Sequence, residues 1–313
     1  MDHSIREEIR TEVERALDRK FAEFLDLWHQ GHHATGNFAQ MFGRRARRES
    51  TLAGGLQFGR TGRELMQTKE EVYEYAQHLE RFAHYLPIDV PDLGGLPVFA
   101  SLSENVGEAL IRWLEAPGSQ FLWVDDLLTD PQNGVLTRMS MQICENASAA
   151  RLPVVLFFRR DHYCFRQGSS MSAEHAGLIA LLYSLILQFI NLLPDSFRSR
   201  PTLTDETFRC LDGGLLSVLT ALDILDNLLD HAPTALICVI DGLERLEMPY
   251  TMAAIEQLVF MLRRQSEGRR FKVLFTTIGT SEVLSSEMNV REQVLANRTT
   301  LGRAGGRLSG DMR

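Results

Sequence analysis

The segment Ala235–Glu244, ALICVIDGLE, constrains the fold of this chain more than any other. Six residues of buried-strand character run into an acid, Asp241, and a second acid, Glu244, follows three positions on. A strand that is apolar at every position must be covered on both faces, the situation of a central strand in a parallel sheet. A carboxylate at the tip of such a strand is placed to hold Mg²⁺ through water beside a nucleotide phosphate. The structural alternative for Asp241 is a carboxylate that caps the strand-to-helix turn.

The second half of the chain repeats this pattern. Gln120–Val124 reads as a short apolar strand, Val135–Ala150 as a helix and Pro153–Phe158 (PVVLFF) as a fully buried strand. An apolar helix follows at 176–193, then a helix across Gly214–Asp230, the strand Ala235–Ile240, a helix across Met252–Ser266 and the strand Phe271–Thr277. Apolar strands alternating with helices predict an α/β domain whose parallel sheet carries helices on both faces. The domain is expected over about 101–290, and the Gly-, Arg- and Ser-rich end, about 291–313, is expected to be a disordered tail.

The N-terminal region, 1–100, reads as a helical extension. Ser4 with Glu7 forms a capping box, and Ile5, Ile9, Val13, Leu17, Phe21, Phe24 and Trp28 make one apolar stripe. A second box, Thr68 with Glu71, opens another helix with Val72, Tyr75, Leu79 and Phe82 on one side. Between them, about 31–62 is a Gly/Arg-rich linker. The stripes of 5–28 and 69–86 predict either packing on each other or on the main domain, or contact with a protein partner. His29, His32 and His33 lack an acid or Cys neighbour beyond Asp26 and read as a surface cluster.

A net charge of −8 and a pI near 5.6 argue against nucleic acid as a partner, and the arginines at 44, 45, 47 and 48 read as linker. Cys144, Cys164, Cys210 and Cys238 show no C-x-x-C spacing and are expected as reduced core residues of a cytoplasmic protein. The N-terminus, charged from Arg6 onward, has no apolar signal-peptide core. Ala176–Leu193 is long enough to cross a membrane, but it contains Ser184, Gln188 and Asn191 and lacks Lys or Arg anchors. It is expected to be a core helix, with no membrane partner.

The order Trp113-Leu114, Phe121-Leu122-Trp123-Val124, PVVLFF, LLYSLILQF, VIDGLE and VLFTT resembles the NACHT-type NTPase domain of fungal STAND (NLR-like) proteins over roughly 105–280. The resemblance implies a P-loop NTPase-like fold and a nucleotide-switch role, ATP or GTP with Mg²⁺ as cofactors, and further helical, winged-helix and repeat segments beyond the domain. These 313 residues show no repeat period. Matched onto the family's motifs, Asp241 is the metal-side acid and the metal candidate, Glu244 the next acid and Thr277 the polar sensor position. Arg245 stands where the family has the acid that polarises water, and Ile278 follows Thr277 where it has an Arg.

The loop after Val124 departs furthest. A phosphate cradle needs glycines, a Lys for the β/γ charge and a Ser or Thr for Mg²⁺. Asp125–Gly134 offers one glycine, Gly134, with Asp126, Gln132 and Asn133 as the other loop candidates and Arg138 as the nearest cation. Pro131 removes a donor, and the chain has just three lysines, Lys20, Lys69 and Lys272. At an effective dielectric near 20, one like-charge contact at about 4 Å costs roughly 4 kcal/mol. The residues therefore predict a non-catalytic pseudo-NTPase with a regulatory or scaffold role and no bound cofactor. The alternative is a weak Mg²⁺-dependent ATP/GTP-binding switch with an atypical loop.

Overall fold

The computed structural model describes residues 19, 22–24, 65–83, 102–126, 134–159, 163, 171–265 and 269–296. Most of the 5–28 stripe, the 31–62 linker, loop residues 127–133 and everything after 296 lie outside the described residues, as do His29, His32, His33 and Cys164. The first elements are β1 (Leu65–Thr68), α1 (Lys69–Ala76, continued by a 3₁₀ turn over Gln77–Phe82), α2 (Glu104–Glu115), β2 (Gln120–Asp125) and α3 (Val135–Ala149). Next come β3 (Val154–Phe158), α4 (Ala173–Asn191), β4 (Ser196–Ser199), α5 (Asp205–Arg209) and α6 (Ser217–Asp230). The last are β5 (Ala235–Asp241), α7 (Met252–Arg264), β6 (Arg270–Thr277), α8 (Glu282–Glu287) and β7 (Gln293–Leu295).

Five strands form one parallel sheet in the order β3–β5–β6–β2–β7, so β5, the strand read as central from its sequence, is an inner strand, as are β6 and β2. Successive side chains leave a strand on opposite faces. Phe121, Trp123, Leu236, Cys238, Ile240, Val273 and Phe275 therefore join one core, with α1, α4, α6 and α7. Leu122, Val124, Ile237, Val239 and Leu274 join a second, with α2 and α3. Phe24 of the N-terminal stripe is buried in that second core. The register sets Asp241 opposite Thr276 and Asp125 opposite Thr277.

Helix α4 begins at Ser172, whose hydroxyl accepts from the His175 N–H, and buries nearly every side chain. It is the one helix among the described residues long and apolar enough to cross a membrane, and 83% of that window is covered by the rest of the fold. Gln188 is polar for a reason the sequence does not show. Its Oε1 accepts from the Leu156 N–H at 2.9 Å and its Nε2 donates to the Leu156 carbonyl at 2.8 Å. Leu156 lies on the outer strand β3, so one side chain satisfies backbone groups that would otherwise form an open edge. Gly177 permits α4 to approach the turn after β5, where a Cβ would collide with Leu246.

Of the two expectations for the stripe of 69–86, packing on the main domain is the one seen for residues 65–83: β1 pairs antiparallel with β4, and Val72, Ala76, Leu79 and Phe82 are buried against the sheet's first core. Other expectations are corrected. The Thr68–Glu71 capping box is present, but the helix tightens to 3₁₀ after Ala76. Strand β7 lies inside the expected tail; three residues, QVL, are too few to show a period, and pairing with β2 fixes them. Cys144 and Cys238 are buried and free, whereas Cys210 is exposed at the end of α5.

Replacement of Gln188 by Leu keeps the bulk and strands the Leu156 N–H and carbonyl without partners. Leaving buried polar groups unpaired costs about 1–3 kcal/mol each. Thermal unfolding of Gln188→Leu is expected several degrees below wild type, and an unchanged midpoint would remove the edge-satisfying role.

Candidate functional site

All five strands are parallel, so their C-terminal ends share one edge of the sheet, and the first turn of α3 faces it. Asp241 ends β5 and is the hub of that edge. Its Oδ1 accepts from the Thr276 hydroxyl at 2.5 Å and its Oδ2 from the Thr137 hydroxyl at 2.8 Å. The Ser140 and Thr276 hydroxyls lie 3.3 Å apart; with the Thr276 proton given to Asp241, Ser140 is the donor. Asp241 thus ties β5, β6 and α3 together, rather than capping its own strand-to-helix turn.

Thr277 is turned the other way. Alternation sends Thr276 toward α3 and Thr277 toward the opposite face, where its hydroxyl accepts from Trp123 Nε1 at 2.8 Å and lies 3.5 Å from Asp125 Oδ1. Thr276, one residue earlier than expected, is the hydroxyl on the acid. Asp125 is the last residue of β2 and not a loop residue, and both it and Asp126 are buried. The backbone holds Asp126 in place: its N–H donates to the Thr277 carbonyl at 3.0 Å, and its carbonyl accepts from Gly279 at 3.2 Å. Gly134 is the N-cap of α3 with φ +48°, a left-handed conformation that favours glycine, and no side chain caps this helix end. Arg138 lies half-buried on the first turn of α3, adjacent to Thr137. Gln132 and Asn133 lie outside the described residues.

Burial raises the carboxyl pKa values along this edge. It pushes Asp241 up, opposed by hydrogen bonds from Thr276 and Thr137 and by the nearby charge of Arg245. Asp125 is raised by burial, opposed by Thr277 and Gly279, and Asp126 adds like charge. Glu244 moves furthest, to about 8: burial is the main cause, Asp241 adds repulsion, and the backbone N–H groups of Glu244 and Ile278 and the Arg245 charge act against both. Both Glu244 oxygens are shut off from water, with no side-chain partner. At neutral pH Glu244 keeps its proton and is a poor general base.

The described lysines are elsewhere. The Lys69 ammonium donates to the Asn191 carbonyl at the end of α4. Lys272 sits five residues before Thr277, about 16 Å down the strand. It donates to the Trp113 and Ala116 carbonyls at 2.7 and 2.6 Å and closes the C-terminus of α2. Burial and the neighbouring Arg270 lower its pKa to about 7. Among the described residues no group of three or more His, Cys, Asp or Glu is gathered as a metal site. Asp241, Thr137 and Thr276 nevertheless form an all-oxygen set, and one carboxylate with a hydroxyl fits Mg²⁺, which keeps most of its waters. Sequence reasoning missed Thr137, Thr276 and Ser140. A hydroxyl three residues after Gly134, in the first helical turn, was the available signal.

Compared with known proteins, the chain matches no family model and no curated protein sequence.

A carboxyl whose folded pKa exceeds its unfolded value binds its proton more tightly in the folded state. Glu244 therefore destabilises the fold progressively as pH rises from 4.5 to about 8. Glu244→Gln is expected to melt like wild type near pH 4.5 and several degrees higher above about pH 8, as read by circular dichroism across pH. Parallel melting curves at both pH values would contradict a buried carboxyl that lacks a side-chain partner.

Proposed function

We propose that the chain is a non-catalytic regulatory or scaffold protein of the fungal NACHT/STAND type, a cytoplasmic pseudo-NTPase. One observation carries this reading. The strand-tip edge gathers four carboxyls, Asp125, Asp126, Asp241 and Glu244, and none of the described lysines stands among them. Phosphoryl transfer depends on a positioned cation, Mg²⁺ and a group that orients the attacking nucleophile. Glu244 holds its proton at neutral pH, and Arg245, a guanidinium, cannot act as a base. A triphosphate at this edge would meet the aspartates Asp125, Asp126 and Asp241, with arginines, Arg138 and Arg245, in place of the lysine ammonium. The apolar stripe of 69–82 is covered by the domain, which leaves the segment 5–28, apart from the buried Phe24, as the part of the N-terminal region proposed for protein contact.

A second reading, a weak Mg²⁺-dependent ATP/GTP switch, is favoured by the Thr137–Asp241 hydrogen bond beside the uncapped start of α3. A hydroxyl and a carboxylate so joined are able to share a hydrated Mg²⁺, and helix N-termini attract anions.

Calorimetric titration of the full chain with ATP and GTP, with and without Mg²⁺, separates the two. The scaffold reading expects no turnover and affinity no better than about millimolar, equivalent to roughly 4 kcal/mol. Micromolar, Mg²⁺-dependent binding that is lost in both Asp241→Ala and Thr137→Val would establish the switch instead.

A further inference from the structure

Helices α6 and α7 run side by side on the face of the sheet opposite α3, and a groove of about 280 Å³ opens between their N-terminal halves. Four of the nine large apolar side chains exposed among the described residues line this groove: Leu215, Leu216, Leu219 and Tyr250. Leu216 is 87% exposed and Leu219 63%. Such concentration on one patch marks an interaction surface, whereas single exposed leucines do not. His175, at the start of α4, supplies an independent sign. It lines the groove, is only 7% exposed, and its Nε2 is buried with no hydrogen-bond partner among the described residues. A buried polar atom left in this state points to a partner that the groove itself does not supply.

The charge around the groove selects the occupant. Residues three and seven positions apart share a helix face. Exposed Asp223 therefore continues the Leu216–Leu219 face of α6, and exposed Glu256 sits between Ala253 and Phe260 on α7. Helix α6 has no Lys or Arg. The two arginines of α7 are at its far end, ion-paired as Arg263–Glu292 and Arg264–Asp226. The exposed charges one turn along from the groove on α6 and α7 are thus acidic, Asp223 and Glu256. A second copy of this chain, at net charge −8, would set acids against acids. The chain's own N-terminal stripe is an unsuitable occupant, since its Phe24 is buried on the other face of the sheet.

We propose that the α6/α7 groove docks a cationic amphipathic helix of a partner protein, with apolar side chains on Leu215, Leu216 and Leu219, basic ones toward Asp223 and Glu256, and a polar group reaching His175. Helix-in-groove recognition uses this combination of apolar anchors and flanking charge. The proposal goes beyond the strand-tip reading and holds whether or not that edge binds nucleotide.

The test uses the full chain and three fluorescent synthetic peptides: a helix with leucines on one face and lysines on the other, a scramble of identical composition, and the first peptide with glutamate in place of lysine. Fluorescence anisotropy is expected to show saturable binding of the patterned basic peptide alone. Leu216→Asp and Leu219→Asp, both at exposed positions, are each expected to weaken it about tenfold or more. The double variant Asp223→Lys with Glu256→Lys should transfer preference to the glutamate peptide. Circular dichroism melting verifies each fold, and the two single variants guard against either one failing. Equal binding of the scramble, no binding at all, or binding unchanged by the correctly folded variants would overturn the proposal. So would a dimer of the chain that Leu219→Asp disperses, because the groove would then be a self-interface.

Discussion

Strand β5 imposes the organisation of this protein. Six consecutive apolar residues, ALICVI, allow neither face of the strand to meet water, so each must be covered by its own layer of helices. Burying a side chain such as Ile240 or Val239 contributes about 1.5–3 kcal/mol relative to exposure, and the two faces take these contributions from separate cores. Parallel neighbours follow from this, since the chain returns to the starting end through a helix that does the covering. Once the strands are parallel, their C-terminal tips share one edge. The site, the helix starts and the groove beyond them are consequences of that single requirement.

At that edge, burial and charge oppose each other. Asp241 is accommodated because two hydroxyls, from Thr276 and Thr137, replace the water it loses. Glu244, close behind it, has no side-chain partner, and burial outweighs the backbone N–H groups near it, so it holds a proton instead. Two acids three residues apart thus behave differently: one is a hydrogen-bonded structural hub, the other a neutral group behind it. Arg245 moderates both without providing the ammonium that a triphosphate requires. The one fully buried lysine among the described residues, Lys272, is committed to closing a helix at the other end of β6.

The polar residues inside the apolar helix α4 show how the fold protects itself. Gln188 takes the place of a neighbouring strand for β3, and β7, three residues long, ends the other side of the sheet. Both edges are thereby blunted by means that leave the sheet's apolar faces intact. In contrast, α6 and α7 leave apolar side chains in water at their starts, with acids alongside. A fold that closes its sheet edges so thoroughly and leaves this patch open has a surface available for binding.

The sequence by itself determined the architecture of the sheet. Uninterrupted apolar runs at 121–124, 154–158, 235–240 and 271–277 mark strands covered on both faces, because burial on two faces removes the polar alternation that exposure would impose, although the run at 154–158 forms an outer strand of the sheet. It also located Asp241 and Glu244 at a strand tip and the capping box at Thr68. What it could not determine is which hydroxyl meets which acid. Thr276 and Thr137 are far apart in the chain, and only the pairing of β5 with β6, together with the docking of α3, brings both onto Asp241. A one-residue step along β6 reverses the face, so register alone decided for Thr276 over Thr277. Short elements escaped for a related reason. β1, β4 and β7 have too few residues to show a period, and their conformation is stabilised by partners distant in the chain. Local pattern reports which faces are dry; tertiary contact decides which polar groups meet there.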